Sequence, residues 1–540
     1  MLGSIPLIPL HILILLPVAA GAVGFFLPRR WYQLMMLVVN IGLVLLAARI
    51  FVHVRWGAEI IELVAGWSEV IAIKLVADRF SAPMILLTTV FVLGTFVFST
   101  RAIYMDKIFI FLFMLLESSI LGIFLSGDIF NIYVMIELGM LIIAILMMYK
   151  KEKQAVYDAM LYLMMNFIGM AFMLLGIGYI YRITGVLDLA VMETRLGMLD
   201  DPRTVVVPYA LIMTAVALKA ALLPLFGWLP RAHGAASAPA IVSAVLSGVQ
   251  VKVGVYLLVR LGIVFSPVIE ARLFFLGIGF LTSVAGFLLA IAQKDIKLIL
   301  AYHTVSQVGL IVMGLNLGTE VAFWGGMYHI INHAMFKGLL FLTAGIIIEE
   351  YGTRAYNEIG GVLRRMPVIG LATLAGVLGI TGAPLFNGSI SKYFIQQGLQ
   401  GNLGEIGLYI INFGTILSFV KYSTILFGKP TIAEKPVRDP FVALVSAVFG
   451  LACLAGGVFG GPTVALVFGP EYAATGALSL EKIFTFVLTL AVGVLAYKYI
   501  VQRIGGFLLS VRVFKFSFNH VTAFMTTFFV LLLAYTYVTV

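Results

Sequence analysis

An all-α polytopic membrane protein is the fold class that this sequence predicts, on three observations. Of its 540 residues, 62% are hydrophobic and only 11% charged, whereas a soluble chain of this size is about half apolar and a quarter charged. Apolar runs of about 20 residues recur from one end to the other, each long enough to cross a hydrocarbon core of about 30 Å as a helix. None of these runs alternates polar and apolar residues as barrel strands do. The single Cys453 excludes a disulfide framework and a thiolate-held iron–sulfur or zinc site, so no cofactor is expected.

About sixteen transmembrane helices are expected, near 5–27, 31–53, 80–100, 108–126, 129–149, 155–182, 205–226, 238–262, 268–292, 295–315, 321–349, 366–399, 404–427, 440–468, 482–502 and 516–538. The first lacks a basic leader and carries its arginines after the apolar run, so it reads as a span and not as a signal peptide. The connections are short, and the longest, 54–79 and 183–204, are too small to fold alone. Twenty Lys and Arg residues fall in the odd-numbered connections, about twice the number in the even-numbered ones. The positive-inside rule then places the odd connections in the cytoplasm and both termini on the outer side of the cell membrane. The net charge of +10 is largely this orientation signal, and it does not call for nucleic acid.

Most spans are free of charge. The exceptions are Glu117, Glu137, Lys219, Lys252, Lys337, Lys392 and Lys421, joined by His303, His329 and His333. An ionised group at mid-bilayer costs about 2.5–3.5 kcal/mol on the insertion scale. Left unpaired, the charged set would outweigh the roughly 5–15 kcal/mol of a domain's net stability. These side chains must therefore be paired, hydrated or neutral, and proton or ion pathways are the leading reading. Asp128 opens the helix that carries Glu137, but nine residues earlier and half a turn out of phase. It reads as an N-cap. A buried Glu–Lys pair that only fixes helix packing is the rival reading for Glu137.

Lys219 precedes Pro224 and Pro230. Proline frees a carbonyl four residues back, which a membrane tolerates only where protein or water satisfies it. The break implies a wet, protein-lined cavity where the lysine exchanges protons. Lys252, in VQVKVGVY, is the next stop and lies too deep for comfortable snorkelling. His329, His333 and Lys337 stand at i, i+4 and i+8 on one helix face. Histidine titrates near neutrality, so the ladder suits a proton wire. Two histidines at this spacing can share zinc, but no carboxylate or cysteine stands near them on the helix, and no metal site is expected. Interhelical hydrogen bonding is the other reading. Gly382, Pro384 and Gly388 interrupt the twelfth span, with Lys392 following one turn on. His303, Ser306 and Gln307 on the tenth span are able to link the ladder to Lys392 or Lys252. Pro224-Leu225-Phe226 returns as Pro384-Leu385-Phe386 five spans later. An odd offset inverts the two copies, as in many transporters.

The motifs GDIFNIYVMIELGML, LKAALLPLFGWLPRAHGAASAPA, SGVQVKVGVYLLVR, DIKLILAYHTVSQVGL, HIINHAMFKGLLFLTAGIII and APLFNGSISKYF, from about residue 75 to 430, together resemble the antiporter-like subunits of respiratory complex I, of Mrp-type cation/proton antiporters and of archaeal membrane-bound hydrogenases and sulfane reductases. Lys392 on the twelfth span, where the family carries Lys or Glu, together with GDIFNIYVMIE resembles the D-type subunit of the Mrp antiporters and its hydrogenase counterpart. The resemblance implies two inverted five-helix repeats over 106–264 and 265–430 with broken helices seven and twelve; the spans place N-terminal helices over 1–105 and C-terminal helices over 431–540, where the last hundred residues depart from the family by adding two spans beyond its usual fourteen. It implies that Glu137 and Lys219 form a coupled pair, that Lys252, His329 and His333 form a central relay, and that Lys337 and Lys392 lead to an outer exit. His303 stands where complex I members often carry a small polar residue. The short connection 503–515 leaves no room for the long lateral helix of the largest complex I member.

The expected function is proton translocation within a multisubunit complex. Other antiporter-like and small membrane subunits, the lipid bilayer and H+ are the partners, with a peripheral redox module and Na+ left open. A Glu137–Lys219 contact of a few ångströms at an effective dielectric near 20 would be worth roughly 4 kcal/mol. The alternatives are Na+/H+ antiport with Na+ as the main ion and a non-pumping structural or quinone-site role in a redox complex. A stand-alone solute carrier would need a substrate pocket that the sequence does not signal.

Overall fold

The computed structural model describes residues 9–64, 72–234, 238–399, 403–432, 439–469, 472, 476–503 and 518–540. The chain runs through α1 (His11–Gly24), α2 (Arg29–Val54), the strands β1 (Ile60–Leu63) and β2 (Lys74–Ala77), α3 (Ser81–Ser99), α4 (Lys107–Leu125), α5 (Ile129–Met147), α6 (Lys153–Thr184) and α7 (Leu189–Leu196). It continues with α8 (Val206–Lys219), α9 (Trp228–Gly234), α10 (Ala240–Val245), α11 (Val251–Phe265), α12 (Arg272–Ala292), α13 (Ile296–Leu315), α14 (Glu320–Tyr351) and α15 (Val362–Arg365). The last elements are α16 (Pro367–Thr381), α17 (Asn387–Gln397), α18 (Leu403–Ser423), α19 (Pro440–Val458), α20 (Gly460–Phe468), α21 (Leu480–Ala496) and α22 (Phe518–Thr539).

Fourteen helical stretches among the described residues are long and apolar enough to cross a membrane, against the sixteen expected. The other two expected spans are shorter apolar helices, α1 and α16. The start of the first span lies outside the described residues, and the twelfth is cut short where its backbone turns at Gly382. The fourteenth, expected as one span, divides at Phe459 into α19 and α20. The connection 503–515 lies outside the described residues apart from Arg503. The fold is helical except for an antiparallel pairing of β1 with β2 in the connection after α2. Lys74 of β2 reaches Asp188 at 3.1 Å, and Asp78 just beyond the strand reaches Arg260 at 2.5 Å, which ties this hairpin to the start of α7 and to α11.

Aspartate side chains start several helices. Asp106 accepts from Phe109 N–H, Asp128 from Asn131 N–H, and Asp295 from Lys297 and Leu298 N–H, meeting donors that a helix start leaves unsatisfied. Asp128 is thus the N-cap that its spacing from Glu137 predicts.

Burial sorts the helices into a centre and a rim. The most hydrophobic window of the stretch Ala240–Phe265 is 100% buried and that of α13 94%, whereas that of Leu480–Val501 is 6% buried. A helix apolar all round belongs in an interior. The titratable side chains sit on these innermost helices: Lys252 on α11, His303 on α13, and His329, His333 and Lys337 on α14, each with no solvent exposure.

Candidate functional site

The first break follows Lys219, the last residue of α8. Between α8 and α9 the chain carries Pro224, and Ala221 adopts φ +53°, a left-handed conformation that an alanine holds only when its surroundings enforce it. Trp228 Nε1 donates back to Leu218 O at 2.7 Å, and Leu223 N–H donates to Thr282 Oγ1 at 2.9 Å, so protein groups take up part of the polarity that the break frees. Pro230, expected as a second breaker, is the third residue of α9, in a first turn where its missing N–H leaves no helical bond unmade. Pro224 is the proline in the break. Gly254 lets α11 lie directly against it: a Cβ there would come within 2.2 Å of Ala220 N.

Lys219 is buried and donates to Asn166 Oδ1 on α6 at 2.8 Å. Glu137 is half-buried and accepts from Tyr133 OH on its own helix at 2.7 Å. The contact expected between Glu137 and Lys219 is not made, because each side chain has a nearer partner. Beyond 4 Å their attraction falls below the roughly 4 kcal/mol expected from the sequence.

Lys252 lies at the centre. A π-helical turn over Leu246–Gln250 precedes it. Such turns displace carbonyls from the regular ladder and recur at functional sites. Lys252 Nζ donates to Ser247 O in that turn and stands 2.5 Å from His333 Nδ1. Ser247 Oγ continues to Thr304 Oγ1 on α13 at 2.8 Å. One helical turn along α14, His329 contacts Ser391 Oγ through Nδ1 at 2.7 Å and Gln307 Oε1 through Nε2 at 3.0 Å. Lys337 Nζ donates to Leu300 O on α13. His303 is packed against Phe419 with ring centroids 4.7 Å apart, and neither ring nitrogen has a hydrogen-bond partner among the described residues.

The second break separates α16 from α17. Gly382 takes φ +76° at the end of α16, and Pro384 follows in the unwound segment. Gly388, in the first turn of α17, allows close approach: a Cβ there would lie 1.9 Å from Gly379 O. Lys392 Nζ returns across the break to Ile380 O at 3.0 Å. Its amine fits beside Gly382, where a Cβ would stand 3.5 Å from it. Ser391, its neighbour in sequence, bonds to His329 and accepts from Asn332 Nδ2 at 3.2 Å.

The expected residues thus fall into three bonded groups: Lys219 with Asn166, Lys252 with His333, and His329 with Gln307, Ser391 and Asn332. Among the described residues no direct hydrogen bond joins Lys219 to Lys252, or His333 to His329. The rings of those two histidines lie 6.4 Å apart between centroids. Sequence reasoning missed two members of this interior. Lys297, which it counted in a connection, is buried near the start of α13 with Nζ donating to Ala238 O at 2.9 Å. His233 is buried and stacked on Phe341 at 4.3 Å, with neither ring nitrogen bonded among the described residues. The Asp295 cap beside Lys297 was a usable signal that Lys297 lies inside a helix. For His233, which follows the proline-rich break, there was none. Glu117 is buried on α4 with both carboxyl oxygens lacking partners among the described residues. No group of three His, Cys, Asp or Glu side chains among those residues is placed to hold a metal ion.

Residues 126–418 match the family described as NADH:quinone oxidoreductase/Mrp antiporter, transmembrane. The chain is 34% identical over 348 residues to the N-type subunit of the NADH-quinone oxidoreductase of Desulforudis audaxviator, a match covering 62% of this chain and 68% of that protein. It is 32% identical over 360 residues to the D-type subunit of the Na(+)/H(+) antiporter of Alkalihalophilus pseudofirmus, covering 65% and 72%. In fold it is similar to a chain of an archaeal membrane-bound sulfane sulfur reductase, with TM-score 0.78, 28% identity, and 88% and 99% of the two chains covered. A chain of the Mrp complex from Dietzia sp. superposes with TM-score 0.77 at 23% identity, covering 89% and 99%.

Proposed function

This chain belongs to the NADH:quinone oxidoreductase/Mrp antiporter family, and we propose that it is the proton-translocating subunit of a multisubunit membrane complex. Protons move between Lys219, Lys252, His333, His329 and Lys392, with Lys337 beside the path and water bridging the gaps between bonded groups. His303 has no hydrogen-bond partner among the described residues, so it joins the relay only through water and otherwise packs on Phe419. The observation that carries this reading is the 2.5 Å approach of Lys252 Nζ to His333 Nδ1, two titratable groups in direct contact and with no solvent exposure.

The two helix breaks support an inverted pair of repeats, 106–264 and 265–430. The surplus of basic residues in odd connections supports cytoplasmic placement of those connections and outer placement of both termini. Half-buried Glu137 is available to a neighbouring subunit, whose motion shifts the field at Lys219. The relatives are named as subunits of respiratory and antiporter complexes, which supports assembly with other membrane subunits and, in the respiratory case, with a redox module.

Proton uptake by vesicles holding the assembled complex tests the reading: Lys219→Ala is expected to abolish it, and undiminished uptake refutes it. Sodium as the coupled ion is a second reading, favoured by the name of the antiporter relative. It predicts that an imposed Na+ gradient alone drives proton movement in the same vesicles.

A further inference from the structure

A cavity of about 370 Å3 lies between α17, α18 and α21, beside the second break. A water needs roughly 10–15 Å3 of such space, so this volume has room for several. Lys392, Gly382 and, on α18, Asn412 line it. Asn412 Oδ1 is buried without a hydrogen-bond partner among the described residues, an acceptor that water would satisfy.

The opposite wall is α21, which lies beyond the 126–418 stretch that matches the family. In LEKIFTFVLTLAVGVLA its polar side chains after Glu481 are Lys482, Thr485 and Thr489, at i, i+3 and i+7. This spacing puts them on one face, and all three line the cavity. Phe484 and Val487 on the other side of the helix are exposed. At the end where α17 finishes and α18 and α21 begin, four side chains form a linked set. Lys482 Nζ donates to Gln396 Oε1 at 2.8 Å, Gln396 Nε2 donates to Glu405 Oε1 at 3.0 Å and to Tyr409 OH at 2.9 Å, and Tyr409 OH donates to Glu405 Oε1 at 3.3 Å. Gln396 is four residues, about 6 Å of helix, from Lys392.

We propose that α21 walls a water-filled exit vestibule that runs from Lys392 to a mouth lined by Lys482, Gln396 and Tyr409, where Glu405, bonded to Gln396 and Tyr409, hands the proton to bulk water. The ammonium of Lys392 gives its proton to vestibule water, that water passes one to the Glu405 carboxylate, and Glu405 releases it outside. The assignment rests on the proposed relay for its use and on the cavity for its existence.

Single cysteines test it in the assembled complex, since Cys453 is fully buried and stays silent. Thr485→Cys and Thr489→Cys are expected to react with a membrane-impermeant anionic methanethiosulfonate at least tenfold faster than Val487→Cys. Glu405→Gln is expected to slow proton uptake severalfold. Reaction of all three cysteines at the same slow rate, or unchanged uptake in Glu405→Gln, overturns the vestibule. Labelling does not depend on transport. Fast labelling together with normal pumping by Lys392→Met would therefore refute the relay's use of Lys392 and leave the cavity standing. Slow labelling together with a dead Lys392→Met would do the reverse.

Discussion

Replacing Lys252 by methionine separates conduction from packing. Methionine conserves length and nearly conserves volume, so the repacking cost stays below about 1.5 kcal/mol. The substitution leaves Ser247 O without its donor and His333 Nδ1 without its partner, at about 1–3 kcal/mol for each buried polar group. Against this stands relief of a mid-membrane amine, about 2.5–3.5 kcal/mol on the insertion scale. The opposing terms partly cancel, and the net change is centred on a loss of about 2 kcal/mol. At that loss the protein is expected to assemble, with an unfolding temperature in detergent lowered by several degrees. Proton uptake in vesicles is expected to fall at least tenfold, because methionine carries no proton and the one direct link to His333 is gone. Parent-level uptake by a well-folded Lys252→Met protein would show that Lys252 is structural, and the relay would fail with it.

Three other substitutions probe separate parts of the fold. Gly254→Val places a side chain where a Cβ alone would lie 2.2 Å from Ala220 N. It is expected to cost about 1–3 kcal/mol by overpacking and to depress uptake by displacing Lys219, and an unchanged melting temperature would contradict this. Glu117→Leu removes a buried carboxyl that has no partner among the described residues. It is expected to be neutral or stabilising in a thermal melt, since replacing an unsatisfied buried polar group by an apolar one of similar shape costs little. A marked loss of stability would reveal a partner for that carboxyl. His303→Phe, packed on Phe419, is expected to keep parent-level uptake. A tenfold loss would return His303 to the path.

The cost of burying charge made the lysines legible in the sequence, and proline and glycine marked both breaks. Asp128 was readable as a cap because its phase excluded Glu137. What the sequence hid follows from the same physics. Asn166, Ser391 and Asn332 are neutral and carry no large burial cost, so nothing in the pattern flags them, yet Asn166 holds Lys219, Ser391 holds His329 and Asn332 bonds to Ser391; Gln307, which holds the other nitrogen of His329, was readable beside His303. The Glu137–Lys219 pair implied by the family resemblance is not directly bonded, although Glu137 lies near enough to act on Lys219 electrostatically. A resemblance names which residues act together, and it does not say which neighbouring side chain offers each its nearest hydrogen bond. The strands Ile60–Leu63 and Lys74–Ala77 are four residues each, too short to register as a pattern inside a connection.

The kind of acceptor that each deep lysine uses bears on the proposed relay. Lys219 donates to an amide oxygen, and Lys252, Lys337 and Lys392 donate to backbone carbonyls. None of the four lies within 4 Å of a carboxylate among the described residues, where the lysine–carboxylate bridge is Lys74–Asp188 in the periphery. A carboxylate at 4 Å would favour the charged amine by roughly 4 kcal/mol at an effective dielectric near 20 and would hold its proton. A neutral oxygen distinguishes the two states far less, since a hydrogen bond from a charged donor is worth about 1.5–3 kcal/mol and one from a neutral donor about 0.5–1.5. One break supplies such an oxygen directly: Ile380 O, the acceptor of Lys392, belongs to the last turn of α16, where helix carbonyls lack intrahelical partners and the helix end carries partial negative charge. Lys219 finds its neutral acceptor on the Asn166 side chain of α6 and Lys337 on a backbone carbonyl within α13, so polar, uncharged surroundings are common to these lysines whether or not a break lies beside them.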